Sequence, residues 1–276
     1  MTLKWDGHTH TKFCYHGNKA ETPEYLERAI ALGFERYTIS EHPPLPAGWI
    51  DNPKLMAELA MPEPELPDYF AYITEMKARY ADRIEVTLGL EMDYLHGNEA
   101  YSNRILAPWL DKLEDVVVSV HYLPGRGGMR CIDFTPDDFQ DAFLEKYGSM
   151  TNIIDTYFDH VEHAIAWAST LPMRKRIGHP NLIRKFQRAL PPIDDAQVEA
   201  RLLALVPKLR EAGVGVDVNV AGFRVATCGE SYVPDALIRA CREAGVELVY
   251  GSDTHRPEHV GADWDWYAEH VLGARS

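Results

Sequence analysis

The sequence of 276 residues has little positive charge and little cysteine. Lysine and arginine total 28 against 42 aspartate and glutamate residues, which gives a formal net charge of −14. A chain with this charge repels phosphate backbones and anionic membranes unless metal ions or a local basic patch reverse the field. Polymeric nucleic acid is therefore not expected as a partner. The four cysteines form no CxxC pair, which favours reduced thiols over a disulfide framework.

Long apolar segments are also missing. No stretch reaches the length of a membrane span, and no apolar run follows a basic stretch near the first residue, so we expect a cytoplasmic protein that binds no membrane. No repeat, low-complexity segment or Gly/Ser linker divides the chain. We therefore predict a single domain over residues 1–276. The oligomeric state does not follow from these features.

The recurring feature of the chain is an apolar strand, then a polar motif, then a helical pattern. Strand patterns occupy residues 36–40, 84–90, 116–120, 214–220 and 247–250, with weaker ones at 2–5 and 174–177. Helical patterns occupy residues 22–33, 69–80, 102–112, 136–147, 152–169, 194–213, 235–244 and 257–272. Alternating strands and helices indicate parallel strands with right-handed crossovers, which is typical of an open doubly wound sheet or a βα barrel.

A polar side chain able to bind a metal or a ligand follows each predicted strand. These residues are His8, His10, His42, Glu91, His121, His179, Asn219, Asp253 and His255. A closed barrel gathers all strand ends around one mouth, whereas an open sheet concentrates its site at one crevice. Seven polar strand ends therefore favour an α/β barrel of seven strands.

His8 and His10 form an HxH motif in a segment predicted to be extended. Residues two apart in extended backbone face the same way, so both imidazoles can reach one ion. Each polar motif alone is explained by capping or by a buried hydrogen bond. Their joint clustering is not required for packing, and together they predict a metal site at the strand ends.

The motifs also carry a resemblance to a known family. In chain order they are DGHTH (6–10), FCYHG (13–17), SEH (40–42), GLEMDY (89–94), SVHY (119–122), GH (178–179) and GSDTH (251–255). Over nearly the whole chain they resemble the PHP (polymerase and histidinol phosphatase) family, in its monofunctional histidinol-phosphatase branch. The resemblance implies a distorted seven-stranded (β/α)7 barrel with a trinuclear metal site at the C-terminal strand ends. It also implies hydrolysis of L-histidinol phosphate to L-histidinol and phosphate, in histidine biosynthesis.

The resemblance implies nine ligands for three divalent transition-metal ions. The first ion would take His8, His10, Glu91 and Asp253; the second Glu91 as a bridge, with His121 and His179; the third His16, His42 and His255. Glu91, Asp253 and His255 are the implied catalytic residues. Imidazole-rich sites suit Zn, Fe or Mn better than Ca or Mg. Two such ions about 3.5–4 Å apart could supply a hydroxide nucleophile at neutral pH.

Three further residues are predicted to bind the substrate, a small phosphomonoester. Arg184 and Arg224 lie in segments that resemble phosphatase-branch motifs, and arginine can bind phosphate oxygens bidentately. Glu230 could pair with the substrate's ammonium group.

Other residues have ordinary expected roles. Cys14 is expected to be a buried filler. Four histidines are expected at solvated positions, namely His96, His160, His163 and His270. The branch has Asp where this chain has Asn181, and the lost charge is expected to weaken or reorder the second metal.

Three other functions compete with this interpretation. A PHP phosphoesterase or exonuclease could act on another phosphate ester, but one acting on DNA should have a basic groove. An amidohydrolase shares the HxH motif and a late Asp, yet leaves His16, His42 and His255 unexplained. A non-catalytic zinc-stabilised binding protein is expected to have a closed, cysteine-rich site.

Overall fold

The computed structural model describes residues 3–274. Its strands are β1 (Trp5–Asp6), β2 (Arg36–Glu41), β3 (Glu85–Asp93), β4 (Asp115–Ser119), β5 (Tyr122–Gly125), β6 (Gly128–Cys131), β7 (Arg174–Ile177), β8 (Gly215–Asn219) and β9 (Leu248–Gly251). Its α-helices are α1 (Thr22–Ala31), α2 (Pro53–Leu59), α3 (Leu66–Tyr80), α4 (Glu99–Leu106), α5 (Pro136–Phe139), α6 (Glu145–Tyr147), α7 (Met150–Ala168), α8 (Asp195–Ala212), α9 (Asp235–Ala244) and α10 (Trp264–His270). A π-helical turn, Gln140–Leu144, joins α5 to α6. Short 3-10 turns occupy Glu63–Glu65, Ala107–Trp109, Leu182–Arg184, Ala221–Arg224 and Pro257–His259.

Seven strands form one parallel sheet in the order β1-β2-β3-β4-β7-β8-β9. Its two edges meet, because the Gly7 N–H donates to the Tyr250 carbonyl and the Asp253 N–H donates to the His8 carbonyl, each at 2.8 Å. A parallel bridge between Thr9 and Thr254 continues this pairing. The sheet is thereby nearly closed as a barrel, which confirms the predicted fold and brings the strand ends to one mouth.

Several predicted elements have different bounds in the structure. The helix predicted over residues 102–112 begins earlier, at Glu99, and its α-helical part ends at Leu106, because Pro108 in the following turn cannot donate a backbone hydrogen bond. The segment 257–272 is divided into a 3-10 turn and α10, with Gly261 at φ +73° between them. The first strand, predicted over 2–5, is observed at Trp5–Asp6, and residue 2 lies outside the described residues.

Two elements were not predicted at all. The β5–β6 hairpin turns at Arg126 and Gly127, where Gly127 has a positive φ, and β5 contains Pro124, which disguises its strand pattern. Helix α2 has seven residues and one buried side chain, too few to show an apolar periodicity. No helix within residues 3–274 is long and apolar enough to cross a membrane.

A buried ion pair ties three strands together inside the barrel. The Arg176 guanidinium on β7 donates to both Asp115 carboxylate oxygens on β4, at 2.8 and 2.9 Å. Its other terminal nitrogen donates to the Gly7 carbonyl after β1, at 2.7 Å. The two side chains are 0% and 1% exposed. Removing one partner of such a pair leaves an uncompensated charge in the interior.

We predict that Arg176→Met destabilises the fold strongly, because Asp115 would keep its buried carboxylate without a partner. The expected loss in the free energy of unfolding is about 3–5 kcal/mol, measured by urea denaturation. Arg174→Met on the same strand is the control, since Arg174 pairs with Glu247 at the surface and should cost less than about 1 kcal/mol. Equal losses in the two variants would show that the buried pair stabilises the fold no more than the surface pair does.

Candidate metal centre

All nine predicted ligands lie together at the barrel mouth. We call this set the mouth cluster: His8, His10, His16, His42, Glu91, His121, His179, Asp253 and His255. Glu91 lies near the end of β3. The other ligands lie just after strand ends or in the loops that follow them. Donor atoms lie close enough together to hold an ion in three sub-groups, namely His8, His10 and Glu91; Glu91, His121 and His179; and His10, His42 and His255 with Cys14, a residue outside the cluster.

The first sub-group surrounds the Nε2 atoms of His8 and His10, which lie 3.3 Å apart. Glu91 Oε2 is 3.1 Å from His8 Nε2 and 3.4 Å from His10 Nε2. Asp253 Oδ1 completes the group at 3.8 and 3.4 Å from the same two nitrogens. Two imidazoles and two carboxylates therefore point at one small volume.

The opposite ring nitrogens of these histidines contact carboxylates. His8 Nδ1 lies 2.8 Å from Asp217 Oδ2, and His10 Nδ1 lies 3.3 Å from Glu41 Oε2. Because carboxylates accept, each Nδ1 carries a hydrogen, and Nε2 is the atom that would donate its lone pair to a cation. Burial disfavours charge on both rings, but the carboxylates around them raise the pKa of His8 and His10 well above its usual value. This donor set fits a transition-metal cation, whose histidine ligands typically donate their other N–H to a carboxylate.

The second sub-group joins Glu91 to His121 and His179. Glu91 Oε1 lies 3.0 Å from His179 Nε2 and 3.7 Å from His121 Nε2, and the two nitrogens are 3.2 Å apart. Asp93 Oδ1 holds His121 Nδ1 at 2.6 Å. Burial opposes a charge on this ring, but the hydrogen bond and negative charge of Asp93 outweigh it and raise the pKa of His121 to about 9. Asp93 thus orients His121 toward Glu91.

The surroundings of His179 differ from those of His121. Within residues 3–274, neither His179 Nδ1 nor Asn181 Oδ1 has a hydrogen-bond partner, although both atoms are buried. His179 therefore lacks the acceptor that Asp93 provides for His121. The expected effect of Asn181 on the second metal stays a prediction.

The third sub-group differs from the predicted set, because His10 and Cys14 belong to it while His16 lies beside it. His16 and His255 approach with their Nε2 atoms 3.1 Å apart, as predicted neighbours. However, His10 and Cys14 also offer donor atoms close to those of His42 and His255. Burial raises the pKa of the Cys14 thiol to about 12. Cys14 is thus buried, as expected, and its sulfur also lies among the donor atoms of this sub-group.

Two residues of the mouth cluster have unusual backbone conformations. His179 has φ +28° and Asp253 has φ +50°, in a region that side chains other than glycine rarely adopt. Such a conformation costs about 1–3 kcal/mol and persists only where the surroundings impose it. The hydrogen bond from the Asp253 N–H to the His8 carbonyl, which closes the barrel, is one such restraint. The closed sheet therefore sets the direction of Asp253.

Asp217 is a buried residue of the site that the sequence interpretation missed. It is 0% exposed on β8 and accepts hydrogen bonds from His8 Nδ1 and, at 3.1 Å, from Asn219 Nδ2. A Cβ on Gly251 would lie 1.9 Å from Asp217 Oδ1, so only glycine fits beside it. The available signal was a single acidic residue inside the apolar strand pattern of 214–220.

A cavity of about 380 Å³ opens above the mouth cluster, within the usual size range for small-molecule sites. Its wall is largely apolar and includes Leu55, Leu59, Phe134, Leu182, Val225 and Tyr232. Lys185 is the one lysine or arginine that lines it within residues 3–274. Its ammonium lies 2.8 Å from Asp133 Oδ2, which also lines the cavity.

The predicted phosphate-binding arginines do not line this cavity. Arg184 donates to Gln187 Oε1 at 2.8 Å and pairs with Asp195. Glu230, predicted to bind the substrate's ammonium group, is 4.0 Å from the Arg184 Nε and lines a separate depression.

Arg224 is also turned away from the cavity, because it donates to the Ser252 carbonyl. Arg184 ends a 3-10 turn, so the next residue, Lys185, faces the cavity instead. The structure therefore gives no support to the phosphate contacts of Arg184 and Arg224 or to the ammonium contact of Glu230.

The chain is similar to known proteins over most of its length. Residues 6–221 match the model of the PHP domain family. The histidinol-phosphatase of Bacillus subtilis (strain 168) is 29% identical over 266 residues, which are 96% of this chain and 98% of that protein. A solved structure from Listeria monocytogenes, described as a candidate histidinol phosphatase, matches with a TM-score of 0.90 at 30% identity, over 96% of this chain and 100% of that one.

A third similar protein has a more distant sequence. It is the histidinol phosphate phosphatase of Lactococcus lactis subsp. lactis Il1403, solved in complex with zinc, L-histidinol and phosphate. It matches with a TM-score of 0.67 at 18% identity, over 92% of this chain and 87% of that one. At this identity the likeness concerns the fold.

We predict that Asp217→Asn weakens metal binding about 10–100-fold, because the amide no longer accepts from His8 Nδ1 with a full charge. The measurement is the metal retained after dialysis against graded chelator concentrations. Asp82→Asn at the surface is the matched control and should retain metal as the unaltered chain does. Equal retention in both variants would show that Asp217 does not position His8.

Proposed function

Because the chain belongs to the PHP domain family, we propose that it is a metal-dependent phosphoric monoester hydrolase that converts L-histidinol phosphate to L-histidinol and phosphate, in histidine biosynthesis. The observation that carries the proposal is the set of imidazole nitrogens and carboxylate oxygens that converge beneath the cavity. The near full-length similarity to the histidinol-phosphatase of Bacillus subtilis supports the substrate. We further propose one domain over residues 1–276 and a cytoplasmic location.

The mouth cluster would hold three divalent transition-metal ions, Zn, Fe or Mn, with Glu91 shared between two of them. Such ions supply a nucleophile from water at neutral pH and offset negative charge on a phosphoryl group. The chain's own contribution is orientation. Asp217, Glu41 and Asp93 each hold the Nδ1 of a histidine. Glu91, Asp253 and His255 then lie on the floor of the cavity, where the phosphate of a substrate would sit.

Lys185 is the residue placed to contact the phosphate. It lines the cavity, and burial that disfavours its charge is outweighed by Asp133, which keeps the pKa of Lys185 above its usual value. The ammonium is therefore charged at neutral pH, and a phosphate dianion would attract it. Arg184 and Arg224 would have to leave their present partners to take this role.

Asp133 is placed to contact the cationic end of the substrate. Burial favours the neutral acid, but Lys185 and His121 hold the pKa of Asp133 below its usual range. The carboxylate also accepts from Cys131 Sγ at 2.9 Å. When the phosphate draws Lys185 away, Asp133 keeps a free oxygen for the ammonium or imidazole of histidinol phosphate. Lys185 and Asp133 would thus contact the phosphate end and the cationic end of the substrate.

We predict that Glu91→Gln lowers phosphate release from histidinol phosphate about 100-fold or more, because even indirect partners of a metal are worth 10–100-fold. His270→Ala, at a position outside the mouth cluster, is the control and should retain full activity. The measurement is phosphate release from a panel of small monoesters and a DNA oligonucleotide. Faster release from the oligonucleotide than from every monoester would overturn the proposed substrate class.

We predict that Lys185→Met lowers kcat/KM for histidinol phosphate by an amount that corresponds to about 1.5–3 kcal/mol of transition-state stabilisation. This is the usual contribution of a hydrogen bond to a charged group. Metal content should not change, since Lys185 is not in the mouth cluster. Lys208→Met, which removes an exposed lysine paired with Glu162, is the control. Unaltered kcat/KM and unaltered inhibition by inorganic phosphate in Lys185→Met would place the phosphate contact elsewhere.

A further inference from the structure

A second histidine cluster lies outside the barrel and does not line the cavity. His96 follows β3 in the loop before α4, and His160 and His163 lie on α7. The ring centroids are 4.6 Å apart for His96 and His160, 5.2 Å for His96 and His163, and 6.4 Å for His160 and His163. Three imidazoles on one tetrahedral zinc, with Zn–N of about 2.0–2.1 Å, have centroids roughly 5 Å apart. The ring centroids are therefore near this spacing, and rotation of the rings is needed to bring the three donor nitrogens together.

His160 is the buried member of this cluster, against the expectation of a solvated position. It is 6% exposed, and its Nδ1 donates to the Thr156 carbonyl at 2.8 Å. The lone pair is consequently on Nε2, which is buried and has no hydrogen-bond partner in the described chain, residues 3–274. Leaving a buried polar atom unpaired is unfavourable, so a bound ion that pairs with this nitrogen would remove that cost.

His96 has the same tautomer as His160, for a similar reason. Its Nδ1 lies 3.3 Å from the Tyr94 hydroxyl, and that hydroxyl donates its own hydrogen to Glu99 Oε1 at 2.8 Å. The hydroxyl oxygen must therefore accept from His96, which leaves the His96 lone pair on Nε2. Two neighbouring imidazoles thus have their Nδ1–H bound to oxygen and their Nε2 available, which is the arrangement of metal-bound histidines.

His163 completes the set from an exposed position one helical turn after His160. Residues three apart on a helix share a face. The His163 ring now stacks on His96, with 14° between the ring planes. Because both of these side chains are exposed, they can rotate toward His160 Nε2 at little cost.

We propose that His96, His160 and His163 bind a transition-metal ion such as Zn²⁺, at a site separate from the mouth cluster. The ion would link α7 to the loop that leaves β3, the strand that carries Glu91 and Asp93. Because this site exists only in the folded chain, its occupancy stabilises the fold. Burial lowers the pKa of His160 and so favours its neutral, metal-binding form, and imidazole ligands suit borderline metals better than Mg²⁺ or Ca²⁺. This site and its effect on stability do not depend on the reaction proposed for the mouth cluster.

The test uses the full-length chain loaded with Zn²⁺ and then desalted, so that the mouth cluster starts filled. Titration with further Zn²⁺ is followed by calorimetry, and the melting temperature is followed in parallel. The variants are His96→Ala and His163→Ala, which change exposed side chains and spare the buried His160. His270→Ala is the matched control, because His270 also lies on a helix and its Nδ1 donates to the Trp266 carbonyl at 2.9 Å.

We predict one further ion per chain in the unaltered protein and in His270→Ala, with a rise in melting temperature. Binding in His96→Ala and His163→Ala should weaken at least tenfold, and the rise should disappear. Phosphatase activity should stay the same in all variants, so failure of the proposed reaction would leave this test unaffected. Equal binding by all four proteins, or no further ion in any of them, would overturn the site.

Discussion

Glu91 has to be neutralised for the barrel mouth to exist. Its side chain is 2% exposed, and its Oε2 lies within 3.4 Å of nitrogens from His8, His10 and His42. An isolated carboxylate at such a position would carry a large desolvation penalty. Burial favours its protonated form, yet the surrounding histidines hold the pKa of Glu91 well below its usual value. The mouth is therefore built for positive charge, within a chain of net charge −14.

The same requirement explains the residues around the mouth cluster. Asp217, Glu41 and Asp93 bind the outer nitrogens of histidines, which turns the inner nitrogens toward Glu91 and its neighbours. Deeper in the barrel, Arg176 links β7, β4 and the residue after β1. The strand ends are thus held in register from below, while the carboxylates fix the rings from the side. A rigid frame of this kind is what places several ligands at once.

Much of this arrangement could be predicted from the sequence because parallel strands carry their chemistry at one end. Polar residues after apolar strands located His42, His121 and His179 without knowledge of their contacts. Asp217 was not predicted as a site residue because it lies inside a strand pattern of mostly apolar residues. Its position depends on Gly251, which belongs to the neighbouring strand β9 and meets Asp217 only when β8 and β9 pair.

Side-chain direction in short turns could not be predicted. Successive residues of a 3-10 turn point about 120° apart, so a shift of one position exchanges Arg184 for Lys185 at the cavity wall. The solvent exposure of His160 on helix α7 was wrongly predicted for a related reason. His160 lies on α7 among charged neighbours in the sequence, but the loop carrying His96 covers it. Both cases depend on tertiary contacts between distant segments.

The most direct measurement of charge compensation at the mouth is anomalous X-ray diffraction from crystals of fully active protein, recorded above and below the absorption edge of the bound metal. Three anomalous peaks per chain are expected inside the mouth cluster, with Glu91 between two of them. A single peak there, or none, in fully active protein would contradict a trinuclear centre.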